Sequence, residues 1–338
     1  MRQALYDLVE AADLNGLLRA VDGMCAAREW DELLDLADAC DDALDRGKQL
    51  WPISAHVDYR IALEAPGEYA ASVLTPEIGR FAHGPLTEVA ASTHSWDELV
   101  AHLEDPVTAS FVAQERVLRG ETLDTDERAH AGLVDVPLRI APWEPPYALA
   151  TFRSNLVEVQ EPWEPQAPWE EADPGAPVKL DEDEIVDALL ELVTPWTNES
   201  NGAARAVVVD GDAAGAIGSL TYGPVRLASI GVDEAFRQMA WAAASGGAHG
   251  RRRGAALGRF SAWYTTALLA DLPWPVDAAE LGAAAERLRW FAWDEEAVGG
   301  APQEGWVLRI AVEDPDEGWA AALGATDVLT EAGEDADG

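Results

Sequence analysis

The chain of 338 residues carries 23 basic and 62 acidic side chains, so its formal net charge is −39. A molecule of that charge repels phosphate, which excludes unassisted binding to DNA, RNA or an anionic membrane. Hydrophobic residues make up 48% of the chain and include 14 Trp. This content excludes disorder throughout and, at this length, favours two packed domains over one.

The start of the chain and its cysteines predict a cytoplasmic protein. Met1 begins a helical pattern with neither a basic nor an apolar leader. Cys25 and Cys40 are too few for a disulfide scaffold. No uncharged run, Gln238–Gly250 included, exceeds 13 residues, which is far short of a membrane span. We therefore expect no membrane partner. The high negative charge is most simply explained as an adaptation to salt.

Residues 1–141 are predicted to form a helical domain, because leucines recur at three- and four-residue spacing, as at Leu14, Leu17 and Leu18. The sequence Trp-Asp-Glu-Leu occurs at Trp30 and again, 66 residues later, at Trp96. Two degenerate helical repeats would explain this recurrence, and a plain helical bundle is the alternative. Helical repeats form binding surfaces, so a protein partner is expected here.

Residues 142–180 hold 8 of the 20 prolines, which disfavours a helix or a central strand. Trp143, Trp163 and Trp169 recur among these prolines. We interpret the segment as an extended strap whose indoles pack on a neighbouring domain, with a free linker as the alternative.

Residues 181–330 are predicted to form an α+β domain, followed by an acidic tail at 331–338. Alternating side chains predict a strand around Trp306–Val312, with a partner strand at Arg287–Asp294. Helices are expected at about 181–193, 232–245, 251–270 and 277–286, and a last helix from Pro315.

The run Val207–Asp212 is similar to the nucleophile strand of haloacid-dehalogenase-type phosphatases, which would make Asp210 and Asp212 catalytic with Mg²⁺. Ala213 departs from that pattern, and no lysine follows Asp212. A hairpin turn at Asp210-Gly211 is the favoured interpretation.

One window has the opposite charge from the rest of the chain. Residues 235–270 contain no Asp or Glu but five Arg, and at their centre lies a Gly/Arg loop, residues 245–254. Glycine amides, a helix N-terminus and arginine forks can bind an anionic small molecule, and a histidine can move a proton. The candidate anion-binding residues are Gly246, Gly247, His249, Gly250, Arg251, Arg252 and Arg253.

A structural role is the competing interpretation of the same window. Gly254, Gly258 and Ala262 form a small-residue stripe that would let another backbone pack closely, and the arginines would pair with acidic neighbours.

We expect no metal site and no cofactor. His94, Glu98 and His102 have helical spacing, but Ser95 and Glu98 form a capping box that leaves His94 outside the helix.

Several segments together resemble an uncharacterised bacterial family from high-GC genomes, which carries no activity and implies no catalytic residue. They are SGGAHGRRRGAALGRFSAWY (245–264), RWFAWD (289–294), IAVEDP (310–315), GKQLW (47–51) and EAPG (64–67). The function expected from the sequence is a non-catalytic interaction protein. The alternative is a binder of, or an enzyme acting on, a phosphate-bearing small molecule at the Gly/Arg loop.

Overall fold

The computed structural model describes residues 2–75, 84–130, 132–159, 165–221, 224–295 and 305–328. Helices and antiparallel sheets both contribute, so the fold is α+β as predicted, and its N-terminal region is helical. The chain divides into two compact units, Met1–Ile140 with Leu149–Val159 and Ala141–Ala148 with Gln160–Gly338. The Pro/Trp-rich segment therefore contributes to both units, while Trp163 and the predicted tail at 331–338 lie outside the described residues.

The N-terminal unit consists of helices and one hairpin. The helices are α1 (Gln3–Ala11), α2 (Leu14–Ala27), α3 (Trp30–Asp42), α4 (Trp51–Glu64), α5 (Gly67–Ser72), α6 (Leu86–Thr93), α7 (Trp96–Val100) and α8 (Pro106–Leu118), with 3-10 turns at Leu44–Arg46 and Gly132–Val134. Strands β1 (Ala150–Arg153) and β2 (Leu156–Val159) pair antiparallel.

Short polar side chains begin several of these helices. Asp13 accepts the amide of Gly16 at the start of α2, and Asp105 accepts that of Thr108 in α8. The predicted capping box of Ser95 and Glu98 begins α7. Each copy of Trp-Asp-Glu-Leu begins a helix, α3 in one case and α7 in the other.

Two apolar clusters fill this unit. The first joins α1 to α4 around Leu17, Leu33 and Cys40, and the second joins α4 to α8 and β1 around Trp96. Cys25 and Cys40 are buried free thiols in the first cluster. Burial raises the pKa of Cys25 to about 11 and that of Cys40 to about 12, so both thiols are held in the unreactive protonated form.

The C-terminal unit is built on a sheet. Its elements are β3 (Glu170–Ala172), β4 (Val178–Lys179), α9 (Asp183–Glu191), α10 (Thr194–Asn198), β5 (Ala203–Asp210), α11 (Ala213–Gly218), β6 (Val225–Ile230), α12 (Val232–Ala244), α13 (Ala255–Leu269), α14 (Ala278–Ala285), β7 (Arg289–Glu295), β8 (Gly305–Asp314) and β9 (Trp319–Val328). The strand order in the described sheet is β3-β6-β7-β8-β9-β5-β4, and each neighbouring pair is antiparallel.

The sheet has helices on its surfaces. Residues of β5, β7, β8 and β9 that share one face form an apolar cluster with α11, which includes Val207, Val209 and Ile217. Val208 alternates with these residues and so points to the opposite face. Helix α12 packs against β7 and β8, and α9 packs against β5.

Two local predictions for this unit are wrong. Pro315 does not open a helix: residues 315–318 form a turn with Gly318 at φ +77°, and Trp319–Val328 is the long strand β9. Asp210-Gly211 is not a hairpin turn, because β5 pairs with β9 and β4, which are distant in sequence. The chain instead enters α11, where the carboxylate of Asp212 accepts the amide of Gly215. The strands predicted near 289 and 306 are confirmed.

No helix in the described part of the chain is both long enough and apolar enough to cross a membrane.

Candidate functional site

The Gly/Arg loop connects α12 to α13. Helix α12 ends at Ala244, the loop turns back through Gly247 at φ +73° and Gly254 at φ +99°, and α13 begins at Ala255. Gly246 is packed against the far side of its own loop, because a Cβ there would lie 2.3 Å from the backbone of Arg251 and 2.4 Å from that of Gly250. The loop is therefore tightly folded on itself.

Five of the loop amides that could have cradled an anion have acceptors within the chain. The amide of Ala248 donates to Asp327 Oδ2 at 2.5 Å, and that of His249 donates to Ser200 Oγ at 3.0 Å. Three further amides are engaged: Gly247 with Ser245 Oγ (3.0 Å), Arg251 with Glu199 Oε2 (3.5 Å) and Arg253 with the carbonyl of Ala244 (2.8 Å). The carboxylates of Asp327 and Glu199 thus accept amide hydrogen bonds that an anion bound in the loop would need.

Asp327 lies on β9 and is fully buried. A Cβ on Gly247 would lie 2.1 Å from Asp327 Oδ2 and 3.2 Å from the indole of Trp196, so only glycine fits there. Asp327 Oδ1 and Trp196 Nε1 are both buried and have no hydrogen-bond partner in the described structure.

The cationic side chains of the loop differ in exposure. Arg252 is buried, and Arg253 is half-buried with its guanidinium 3.6 Å from the carboxylate of Glu191. His249 and Arg251 are exposed. The four cationic side chains of the loop therefore do not form one open cluster, because Arg252 is buried and Arg253 lies beside the exposed carboxylate of Glu191.

The small-residue stripe on α13 packs closely, as the structural interpretation predicted. A Cβ on Gly258 would lie 2.3 Å from the carbonyl oxygen of Ala240 in α12. Ala262, one turn further along α13, is fully buried. Glycine at this position lets the backbones of α12 and α13 approach each other.

A buried charged network lies next to these helices. The guanidinium of Arg259 on α13 donates two hydrogen bonds to Glu144, at 2.7 and 2.8 Å, and both side chains are fully buried. The same carboxylate accepts the indole N–H of Trp263, the hydroxyl of Tyr147 and the amide of Ala141. Five donors on one carboxylate offset the cost of burying its charge.

These contacts change the acidities within the network. Burial by itself would raise the pKa of Glu144, but the hydrogen bonds and charge of Arg259 hold it below its usual value. Burial raises the pKa of Tyr147 well above its usual value, and the neighbouring carboxylate adds to this effect. Glu144 is thus a permanent anion near neutral pH, and Tyr147 stays a hydrogen-bond donor.

Sequence reasoning found Arg259 within the acid-free window but missed Glu144 and Tyr147. These two residues lie in the Pro/Trp-rich segment, in the part that belongs to the C-terminal unit. Trp143 from the same segment donates its indole N–H to the carbonyl of Ala278 at 2.7 Å and packs edge-on against Phe236. An arginine in a window without acids needs a carboxylate partner from elsewhere in the chain. Arg259 was therefore the one signal in the sequence for a partner such as Glu144.

The histidine considered as a metal ligand has another environment. His94 lies at the C-terminal end of α6, outside α7 as predicted, and its ring nitrogens lie 3.0 Å and 2.7 Å from the carbonyl oxygens of Ala90 and Ala65. Among the described residues, no group of three or more His, Cys, Asp or Glu side chains could hold a metal ion.

Comparison with known proteins gives one match. No curated protein and no solved structure matches the chain. The model of a family of unknown function, DUF6183, matches residues 15–328, a range that includes the Gly/Arg loop, Glu144, Arg259 and Asp327. Since the match spans nearly the whole sequence, the chain belongs to the DUF6183 family.

Proposed function

We propose that the protein is a non-catalytic interaction protein that binds a protein partner through its helical N-terminal unit. The observation that carries the proposal is the exposure of large apolar side chains on the first two helices: Tyr6 is 48% exposed, Leu14 44% and Leu18 38%. Leu14 and Leu18 lie one turn apart on α2 and so share a face. Exposed apolar groups in a cluster are typical of binding surfaces.

Two further observations support an interaction role. Five amides and two arginines of the Gly/Arg loop are engaged within the chain, as a structural loop requires. The net charge of −39 favours a partner with a basic rim, because complementary charge steers association and suppresses other partners.

The test compares full-length bait proteins in cells that make the protein naturally. A partner retained by the wild-type chain should be lost from the variant Leu14→Asp/Leu18→Asp, because two carboxylates would be buried without partners in the interface. Leu44→Asp is the matched control, since Leu44 is 56% exposed elsewhere in the same unit. Mass spectrometry of the retained proteins is the measurement.

Two outcomes would contradict this function. One is that wild-type bait retains no protein above the level of a bait-free control at physiological salt. The other is a partner retained equally by the wild type and by Leu14→Asp/Leu18→Asp.

A second candidate function, binding of a phosphate-bearing small molecule at the Gly/Arg loop, is favoured by the exposure of His249 and Arg251. The test is a thermal-shift series with inorganic phosphate, nucleotides, coenzyme A and sugar phosphates on wild type and on His249→Ala/Arg251→Ala. A binding role predicts a ligand-dependent rise in Tm that this variant lacks, with its own Tm nearly unchanged. No ligand effect on the wild type, together with a fall in stability of about 1–2 kcal/mol in Arg252→Ala/Arg253→Ala, would show a structural role for the loop.

A further inference from the structure

A small pocket lies on the face of the sheet that carries α11, away from the Gly/Arg loop. Its volume is about 180 Å³. It is lined by Ala203, Ala204, Arg205, Leu220, Trp293, Arg309, Gly324, Ala325 and Thr326. We call it the sheet-face pocket.

The strand register explains why two arginines flank this pocket. Arg205 on β5 pairs with Gly324 on β9, and Gly324 pairs in turn with Arg309 on β8. Side chains that lie opposite one another in neighbouring strands point to the same face, so both guanidinium groups project on the pocket side. Their backbones are two strand spacings apart, about 10 Å, and long side chains can converge across that distance.

The glycine between the arginines opens the floor of the pocket. A Cβ on Gly324 would lie 2.7 Å from the Trp293 ring, so any larger residue would displace the indole. The Trp293 ring is buried and its N–H lies within 3.3 Å of two carbonyl oxygens, those of Ile310 and Leu323. The floor is therefore a rigid aromatic surface.

The two arginines have different surroundings. Arg309 stacks over the Trp293 ring at 5.5 Å and donates to Asp294 at 2.7 Å, so its guanidinium is held in place beside a carboxylate. Arg205 is exposed, and among the described residues no carboxylate lies within 4 Å of it. Arg205 thus brings a full set of guanidinium donors to the mouth of an apolar-floored pocket.

We propose that the sheet-face pocket binds a small oxyanion, a phosphate or carboxylate group, with Arg205 as the principal ligand and Arg309 as a second positive charge. The volume limits the bound group to a small head group. The guanidinium fork of Arg205 donates two parallel hydrogen bonds to such a group, and the low-dielectric floor strengthens them. This site is independent of the partner surface on α1 and α2 and of the Gly/Arg loop.

The test is isothermal titration calorimetry of the full-length protein with inorganic phosphate and, separately, succinate, both at constant ionic strength with chloride as the background anion. At least one of the two is expected to bind. Arg205→Ala should raise its Kd about tenfold or more, because a charged hydrogen-bonded pair is lost. Arg205→Lys keeps the charge but not the fork, so it should recover only part of the affinity.

Two control variants locate the site. Arg289→Ala removes a 64% exposed arginine side chain on β7, at the other end of the same sheet face, and should leave the Kd unchanged. Arg252→Ala/Arg253→Ala should also leave it unchanged, which separates this pocket from the Gly/Arg loop. The proposal is overturned if neither anion binds, or if Arg205→Ala and Arg289→Ala weaken binding equally.

Discussion

Replacing Arg259 with methionine is expected to lower the free energy of unfolding by about 3–5 kcal/mol, because it leaves a buried carboxylate without its cation. The guanidinium of Arg259 and the carboxylate of Glu144 are both fully buried and share two hydrogen bonds. The remaining donors of Tyr147 and Trp263 hydrogen-bond the carboxylate but do not neutralise it. Urea unfolding followed by tryptophan fluorescence measures the change.

A surface pair provides the control for this prediction. Arg289→Met breaks an ion pair with Glu313 whose arginine side chain is 64% exposed, and such pairs contribute about 0–1 kcal/mol. Adding Glu144→Leu to Arg259→Met should recover part of the lost stability, since the unpaired charge is then gone. Equal losses in Arg259→Met and Arg289→Met would show that the buried pair is no more stabilising than a surface one.

The same pair predicts how stability depends on pH. The folded chain holds the pKa of Glu144 below the ordinary glutamate value of 4.5. A depressed folded pKa stabilises the native state fully above the unfolded pKa, and that contribution is lost as the pH falls through the folded pKa. In Arg259→Met the buried carboxylate loses its cation, so burial raises its pKa above the ordinary value and protonation relieves the variant as the pH falls. The difference in stability between wild type and Arg259→Met should therefore be largest near pH 7 and shrink steadily as the pH is lowered.

Gly247→Ala is expected to lower the free energy of unfolding by about 2–4 kcal/mol. This is the sum of the penalty for alanine in a left-handed backbone conformation and of a steric collision. Gly247 has φ +73°, and its new methyl group would lie 2.1 Å from the buried carboxylate of Asp327. Gly318→Ala is the matched control, because Gly318 has φ +77° and nothing within 4 Å of a Cβ. The control should show only the backbone penalty of about 1–2 kcal/mol.

A double-mutant cycle tests the collision directly. Asp327→Ala alone should destabilise the chain, since the amide of Ala248 loses its acceptor. In the double variant Gly247→Ala/Asp327→Ala the new methyl group has room. The free energy of unfolding should therefore fall by about 1–2 kcal/mol less than the sum of the losses in the two single variants. Additive costs would mean that Gly247 is required for its backbone conformation alone.

Local patterns in the sequence were sufficient to predict many of the helices and strands. Alternating side chains located β8 and its partner β7, and a Ser–Glu pair located the start of α7. The strand β9 was mistaken for a helix because its Ala-rich stretch, Ala320–Ala322, favours helix locally, whereas pairing with β5 and β8 decides its structure.

The candidate site was predictable only in part, for a related reason. A window of 36 residues without acids identified the loop and Arg259. The carboxylates that complete their environment come from far away in sequence: Glu144 is 115 residues from Arg259, and Asp327 is 79 residues from Ala248. In a chain with 62 acidic residues, composition gives no means of choosing these two.

The strands at the two ends of the sheet have a consequence for behaviour at high concentration. In the described sheet β3 and β4 are the outermost strands, with three and two residues, and Pro168, Pro174 and Pro177 lie next to them. Short, proline-flanked borders offer few unpaired amides to a strand of another molecule. The proline-rich segment thus ends each side of the sheet in a strand too short to pair stably with another molecule.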